Sequence, residues 1–228
     1  FYPVFAQLNH IPYTQIPLKD DFTLDPADYL DLGKTIVLAN PNAPTGLPLK
    51  LCDLERILES NAGTVVIVDE AYVDFGAASA VQLIDRYENL LVTQTFSKSR
   101  SLAGARVGYA MGNAALIADL NTIKYSTNPY NVSHLDAAAA CAALDEDAYY
   151  MENCRTIAEN RAWTIEQLQR LGFTVTASKS NYVFARTERI SGLALYEALK
   201  ARGILIRHFE KPRIRAYNRI TVGTRAQM

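Results

Sequence analysis

The chain has 228 residues, 49% of them hydrophobic and 21% charged, with a formal net charge of −1. That is an ordinary soluble, globular balance, long enough for one large domain or two modest ones. It carries no basic footprint for nucleic acid or an anionic membrane surface. Cys52, Cys141 and Cys154 are odd in number and lack metal-ligand spacing, so they predict free thiols in a reducing, cytoplasmic setting rather than a disulfide framework.

The chain opens at Phe1-Tyr2-Pro3 without a methionine or a leader, which reads as the inside of a domain with an N-terminal portion preceding it. No apolar run reaches the roughly 18 residues of a membrane span. Residues 35–39 form a buried-strand pattern that stops at a turn cluster, Asn40-Pro41-Asn42-Ala43-Pro44-Thr45-Gly46. Leu51, Leu54, Ile57 and Leu58 recur at helical spacing, and residues 64–68 and 90–95 are two further β-branched or apolar runs. Strands separated by crossovers predict a mostly parallel sheet flanked by helices, with ligands bound beyond the carboxyl ends of its strands. The three runs lead into Asn42, Asp69 and Ser97-Lys98, so polar side chains are expected on one rim.

Beyond Gly112 the pattern changes. Residues 113–124 and 133–144 look helical, and an amphipathic stretch without Gly or Pro runs from about 146 to 171, ending at Gly172. Strand patterns follow at 173–176 and 182–185, a helix at 193–202, and strands at 203–207 and 219–223. That predicts a smaller C-terminal α+β domain over 146–228, joined through the long helix to a large domain over 1–145. His10, His134 and His208 share no metal spacing and read as structural; no metal site is expected.

The most informative segment runs from Thr95 to Tyr109, Thr-Phe-Ser-Lys-Ser-Arg-Ser-Leu-Ala-Gly-Ala-Arg-Val-Gly-Tyr. A lysine after a buried strand, among hydroxyls, suits Schiff-base chemistry, because desolvation and a nearby cation favour the neutral amine. Thr95, Ser97 and Arg106 are donors of the kind that cradle a phosphate. An isolated Ser-Lys would be an ordinary surface lysine; the whole run resembles the cofactor-lysine signature of the class I/II aminotransferases, which depend on pyridoxal 5'-phosphate (PLP). The resemblance implies that Lys98 holds the cofactor and that Arg106, Thr95 and Ser97 bind its phosphate.

Other segments extend that resemblance over roughly residues 1–225. Val66-Ile67-Val68-Asp69-Glu70-Ala71-Tyr72 is similar to the family segment whose carboxylate, here Asp69, pairs with the pyridine nitrogen, and whose tyrosine, here Tyr72, contacts the phenolic oxygen. The turn at 40–46 resembles the family's Asn-Pro-x-x-Pro-Thr-Gly loop, but Ala43 stands where many members carry a cofactor asparagine. Either Asn42 takes over that contact or Tyr72 makes it alone. Arg219 matches a substrate-anion arginine, with Arg207 as a second candidate; Asn181 resembles a small-domain asparagine near the site, and Tyr2 an aromatic that stacks on the cofactor ring. A homodimer is implied by resemblance alone.

Within the family, residues 72–75, 95–109 and 219–224 are most similar to members that exchange an amino group between histidinol phosphate and 2-oxoglutarate in histidine biosynthesis. Three other readings stay open. One is another PLP enzyme of the same fold, such as an aromatic aminotransferase or a threonine-phosphate decarboxylase. A second is an inactive fragment with a binding or structural role. The third is an unrelated nucleotide binder, disfavoured because no Gly-rich phosphate loop is present.

Overall fold

A computed structural model describes residues 2–228. After a short helix, α1 (Tyr2–Leu8), the chain runs without regular structure, apart from a 3-10 turn, to β1 (Ile36–Ala39). Next come α2 (Leu51–Ser60), β2 (Val66–Asp69), β3 (Leu90–Thr95) and β4 (Gly108–Gly112). These strands form one sheet in the order β1-β2-β3-β4. The first three are parallel, as the crossovers predict, while β4 returns antiparallel to β3. The sequence reading did not anticipate β4: Gly108 and Gly112 bracket it and mask its strand character, yet each lies so close to the β3 backbone that a Cβ would collide with it.

One face of the sheet carries the core. Ile36, Leu38, Val66, Val68, Leu90 and Val92 alternate inward and meet Leu54, Ile57 and Leu58 of α2, with Ala80 and Leu83 closing the cluster. On the other face Val37 is exposed and Ile67 half-buried. Three helices follow: α3 (Ala114–Thr127), α4 (His134–Asp145) and α5 (Asp147–Arg170). The expected long amphipathic helix is α5, separated from α4 only at Glu146. Phe96, just past β3, clusters with Ala140 and Ala143 of α4, and Tyr150 of α5 packs against that cluster.

A second sheet has the antiparallel order β5-β6-β8-β7, from β5 (Thr174–Val175), β6 (Tyr182–Arg186), β7 (Arg207–His208) and β8 (Asn218–Thr221). The helix α6 (Gly192–Lys200) lies between β6 and β7. The strand expected over 203–207 is a correction: only Arg207 and His208 pair, while Ile204 and Leu205 are exposed ahead of the ladder. Phe184 stacks on Tyr217 at 4.6 Å between ring centroids, and Phe22 reaches both rings edge-on from the N-terminal segment. That contact ties residues 19–25 to the second sheet, and Arg213 adds to it by donating to the Lys19 carbonyl.

The turn after β1 touches the second sheet directly. The Thr176 hydroxyl donates to the Thr45 carbonyl at 2.6 Å, the Lys179 amide to the Gly46 carbonyl at 2.8 Å, and the Tyr182 hydroxyl to the Asn42 carbonyl at 3.0 Å. Gly46 permits this approach. Its φ is +74°, and a Cβ there would lie 2.1 Å from Ser178 Oγ. Gly46→Ala should therefore destabilise the chain by about 2–4 kcal/mol, combining left-handed strain with overpacking. A urea midpoint matching the parent's would contradict this.

Candidate active site

The parallel register sets the site. Ala39 faces Asp69, and Asp69 faces Thr93, so β1, β2 and β3 end side by side and their following loops share one rim. Asp69 and Glu70 are neighbours with opposite fates, because successive strand side chains alternate between faces. Glu70 is 2% exposed and accepts from the Ser79 hydroxyl and the Ala80 amide, both at 2.6 Å, and from the Gln94 side chain at 2.9 Å. Burial lifts its carboxyl above the usual range despite those bonds, so Glu70 belongs to the fold.

Asp69 is half-buried on the rim. One oxygen accepts the Ala71 amide at 3.0 Å, and the other accepts the Tyr2 hydroxyl. Burial first, then the Asp69 hydrogen bond and charge, push the Tyr2 phenol above its ordinary range, so it remains a donor. Tyr2 thus stands at the Asp69 end of the site, engaged through its hydroxyl.

Lys98 lies three residues beyond β3, in a turn where its carbonyl accepts the Ser101 amide at 3.1 Å. Its Nζ sits over the Tyr72 ring, 5.5 Å from the centroid, and among the described residues it joins no ion pair. Its neighbours anchor the turn: the buried Ser99 hydroxyl donates to Asp74, and Arg100 pairs with Asp147 of α5 at 2.7 Å. Beside it, the Ser97 amide donates to Thr95 Oγ1 at 3.1 Å, and Arg106 Nη1 donates to Ser97 Oγ at 3.3 Å and to the Ala103 carbonyl at 2.9 Å. Thr95, Ser97 and the exposed Arg106 therefore form one small donor cluster.

The second sheet supplies the far side. Tyr182 packs edge-on against Tyr72, with centroids 5.2 Å apart, and the Arg219 guanidinium lies 5.0 Å from the Tyr182 centroid. Arg219 Nε is buried and has no partner among the described residues. Lys98, Tyr72, Tyr182 and Arg219 thus form a continuous series of ring contacts from one sheet to the other. Arg207 faces Arg219 across the β7–β8 ladder but is exposed, its guanidinium over Phe209 at 5.6 Å. Asn181 is half-buried, and its carbonyl accepts the Val222 amide at 2.9 Å. The Asn42 side-chain oxygen accepts the Thr45 hydroxyl at 2.9 Å, so this side chain caps its own turn.

Tyr182, Ser99, Asp74 and Arg161 escaped the sequence reading. A tyrosine within a buried strand run was the available signal, since a buried phenol seeks a partner. Arg161 recurs seven residues after the buried Cys154 on α5, which places an arginine on the inward face.

The donor set fits PLP: an amine in no ion pair among the described residues, a rim carboxylate, a phenol beside the amine, and a hydroxyl–guanidinium cluster at a loop. The family model described as aminotransferase class I and II matches residues 1–228, and the chain belongs to that family, which is PLP-dependent. It is 48% identical over 227 residues to a histidinol-phosphate aminotransferase of Acinetobacter baylyi, covering 100% of this chain and 63% of that protein. To histidinol-phosphate aminotransferase 1 of Bordetella parapertussis it is 49% identical over 230 residues, covering 100% of this chain and 65% of the relative. The chain therefore spans less than two thirds of the length of these relatives. Among solved structures, the histidinol-phosphate aminotransferase from Clostridium acetobutylicum superposes with a TM-score of 0.88 at 26% identity, over 99% of this chain and 71% of that one. L-threonine-O-3-phosphate decarboxylase from Porphyromonas gingivalis shares the fold, with a TM-score of 0.82 at 24% identity over 99% of this chain and 70% of that one.

Behind the Tyr72 turn, Asp74, Phe75, Met151, Cys154 and Arg155 line a cleft of about 440 Å³ that Lys98 does not border. Burial pushes the Cys154 thiol up to about 11. At pH 8 its thiolate fraction is then only about 0.1%, and the folded protein should resist alkylation there by iodoacetamide until urea exposes it. Peptide mapping checks this; full labelling of Cys154 in the native protein would contradict it.

Proposed function

We propose that the full-length protein carrying this chain is a PLP-dependent aminotransferase that interconverts L-histidinol phosphate plus 2-oxoglutarate and imidazole acetol phosphate plus L-glutamate. The observation that supports this reading is the series of ring contacts from Lys98 through Tyr72 and Tyr182 to Arg219, with an amine at one end and a guanidinium suited to anions at the other. The identity to named histidinol-phosphate aminotransferases supports the substrate choice.

When bound, PLP supplies an electron sink that stabilises negative charge at the substrate's α-carbon. In this reading Lys98 holds the cofactor aldehyde and, once released, moves the α-proton. Asp69 holds the ring nitrogen in its protonated form; a carboxylate oxygen has two lone pairs, so the bond from Tyr2 leaves acceptor capacity for that N–H. Tyr72 donates to the phenolic oxygen, and Thr95, Ser97 and Arg106 hold the phosphate. Ala43 has no polar group; the Asn42 side-chain oxygen is taken up by the Thr45 hydroxyl, and its amide nitrogen is a second donor for the phenolic oxygen beside Tyr72. Arg219 receives the carboxylate of glutamate or the phosphate of the second substrate, with Arg207, its partner across the ladder, and Asn181, just before β6, as further contacts.

We further read α5 as the link between a large cofactor-binding domain and a smaller C-terminal one. The assembly is proposed to be a homodimer, supported by the exposed apolar residues Leu120, Ile123, Tyr125, Tyr130 and Leu135. No described helix is long and apolar enough to cross a membrane, and a cytoplasmic location is the accompanying proposal.

Two measurements test the reading on the full-length protein. Coupled assays should show glutamate release from histidinol phosphate and 2-oxoglutarate, without carbon dioxide; turnover of threonine phosphate with carbon dioxide release, or of aromatic amino acids alone, would contradict the substrate assignment. Arg219→Ala should raise KM for both substrates by about 10- to 100-fold, the worth of a charged hydrogen bond. If neither half-reaction weakens, Arg219 has no such role.

A further inference from the structure

Arg161 of α5 is a buried cation that the chemistry above does not use. It is 6% exposed, and among the described residues it has no carboxylate partner. A single nitrogen, Nη1, donates to the Phe75 carbonyl at 2.7 Å and to the Ser180 carbonyl at 2.6 Å. Those carbonyls belong to different parts of the molecule: the turn after β2 and the loop that enters β6. Desolvation by burial depresses the guanidinium below its usual range. An unpaired buried charge is an expensive way to gain stability, because apolar packing of equal volume commonly does as well or better. What it adds is geometry, since short charge-assisted bonds hold two chain segments at a set separation.

The two segments lead directly to the site. Phe75 closes the 3-10 turn Val73–Phe75, for which Tyr72 is the N-cap. Gly76 follows with φ +117°, and the Cβ it lacks would lie 3.5 Å from Arg161 Nη2. Ser180 stands two residues before Tyr182, the ring lying between Tyr72 and Arg219. We propose that Arg161 is a positioning residue that clamps these two loops together and so sets the separation between the cofactor contact at Tyr72 and the anion-binding Arg219. The inference rests on the functional reading above and deepens it: substrate-anion binding and cofactor electronics are coupled through one buried guanidinium.

The test uses the full-length protein with Arg161→Met, which keeps volume without donors, and Arg161→Gln, which keeps a donor too short to span both carbonyls. Three readouts are taken: KM and kcat for glutamate, the pH midpoint of the bound cofactor's visible absorbance, and amide hydrogen exchange of the PLP-free protein. Both variants should raise KM on the order of tenfold or more while kcat falls less, in keeping with the cost of small misplacements. They should shift the absorbance midpoint and speed exchange in peptides covering 71–77 and 179–183, leaving 90–95 as in the parent. If Arg161→Met does not fold, Arg161→Gln alone decides. A folded variant that keeps KM, midpoint and exchange at parental values overturns the clamp, as does one that only lowers the melting temperature. A parent protein without a cofactor band overturns the functional reading, and this role with it.

Discussion

Everything at the site follows from three parallel strands ending in register. Parallel pairing requires crossovers, and crossovers bring successive strand ends to one edge, where the ladder no longer satisfies the backbone and loops must take over. Here the pairing of Ala39 with Asp69 and of Asp69 with Thr93 puts the 40–46 turn, the Asp69–Tyr72 segment and the Lys98 turn within reach of one another. The inward face of the same strands is filled by Val66, Val68, Leu90 and Val92 against α2, so the rim rests on a packed base. Asp69 faces the site because Val68 and Glu70, one residue either way, face the interior.

The second sheet meets this rim through backbone contacts. Thr45, Gly46 and Asn42 offer carbonyls to Thr176, Lys179 and Tyr182, and only a glycine at position 46 lets the chains approach so closely. The helix α5, about 36 Å long at the standard rise, serves both sides. Asp147 near its start pairs with Arg100 beside the lysine turn, and Arg161 further along holds the Phe75 and Ser180 carbonyls. The lysine turn, the turn after Tyr72 and the loop into β6 therefore share one helix as their common support.

Much of this was legible in the residues. Alternating apolar runs and turn clusters announce a parallel sheet, and the 95–109 run announces the aminotransferase family because so many positions agree at once. Particular residues mark where the reading ended. The strand β4 was hidden because Gly108 and Gly112 carry no hydrophobic signal; they are glycines for close approach to β3, which only the sheet reveals. Ile204 and Leu205 look like a strand in sequence but lie exposed ahead of a two-residue pairing. Long-range partners were invisible for a different reason: Arg161 and Phe75 are 86 residues apart, and no local pattern encodes which carbonyl a buried guanidinium will find. The Tyr2–Asp69 bond, across 67 residues, is of the same kind.

The proposed role of Lys98 in holding the cofactor is the one on which the other proposed roles depend. The most direct measurement is borohydride reduction of the full-length protein loaded with PLP, followed by mass-spectrometric mapping of the pyridoxyl label. A single label on Lys98 is expected, lost when the protein is first treated with glutamate. A label spread over surface lysines, or none at Lys98, would contradict it.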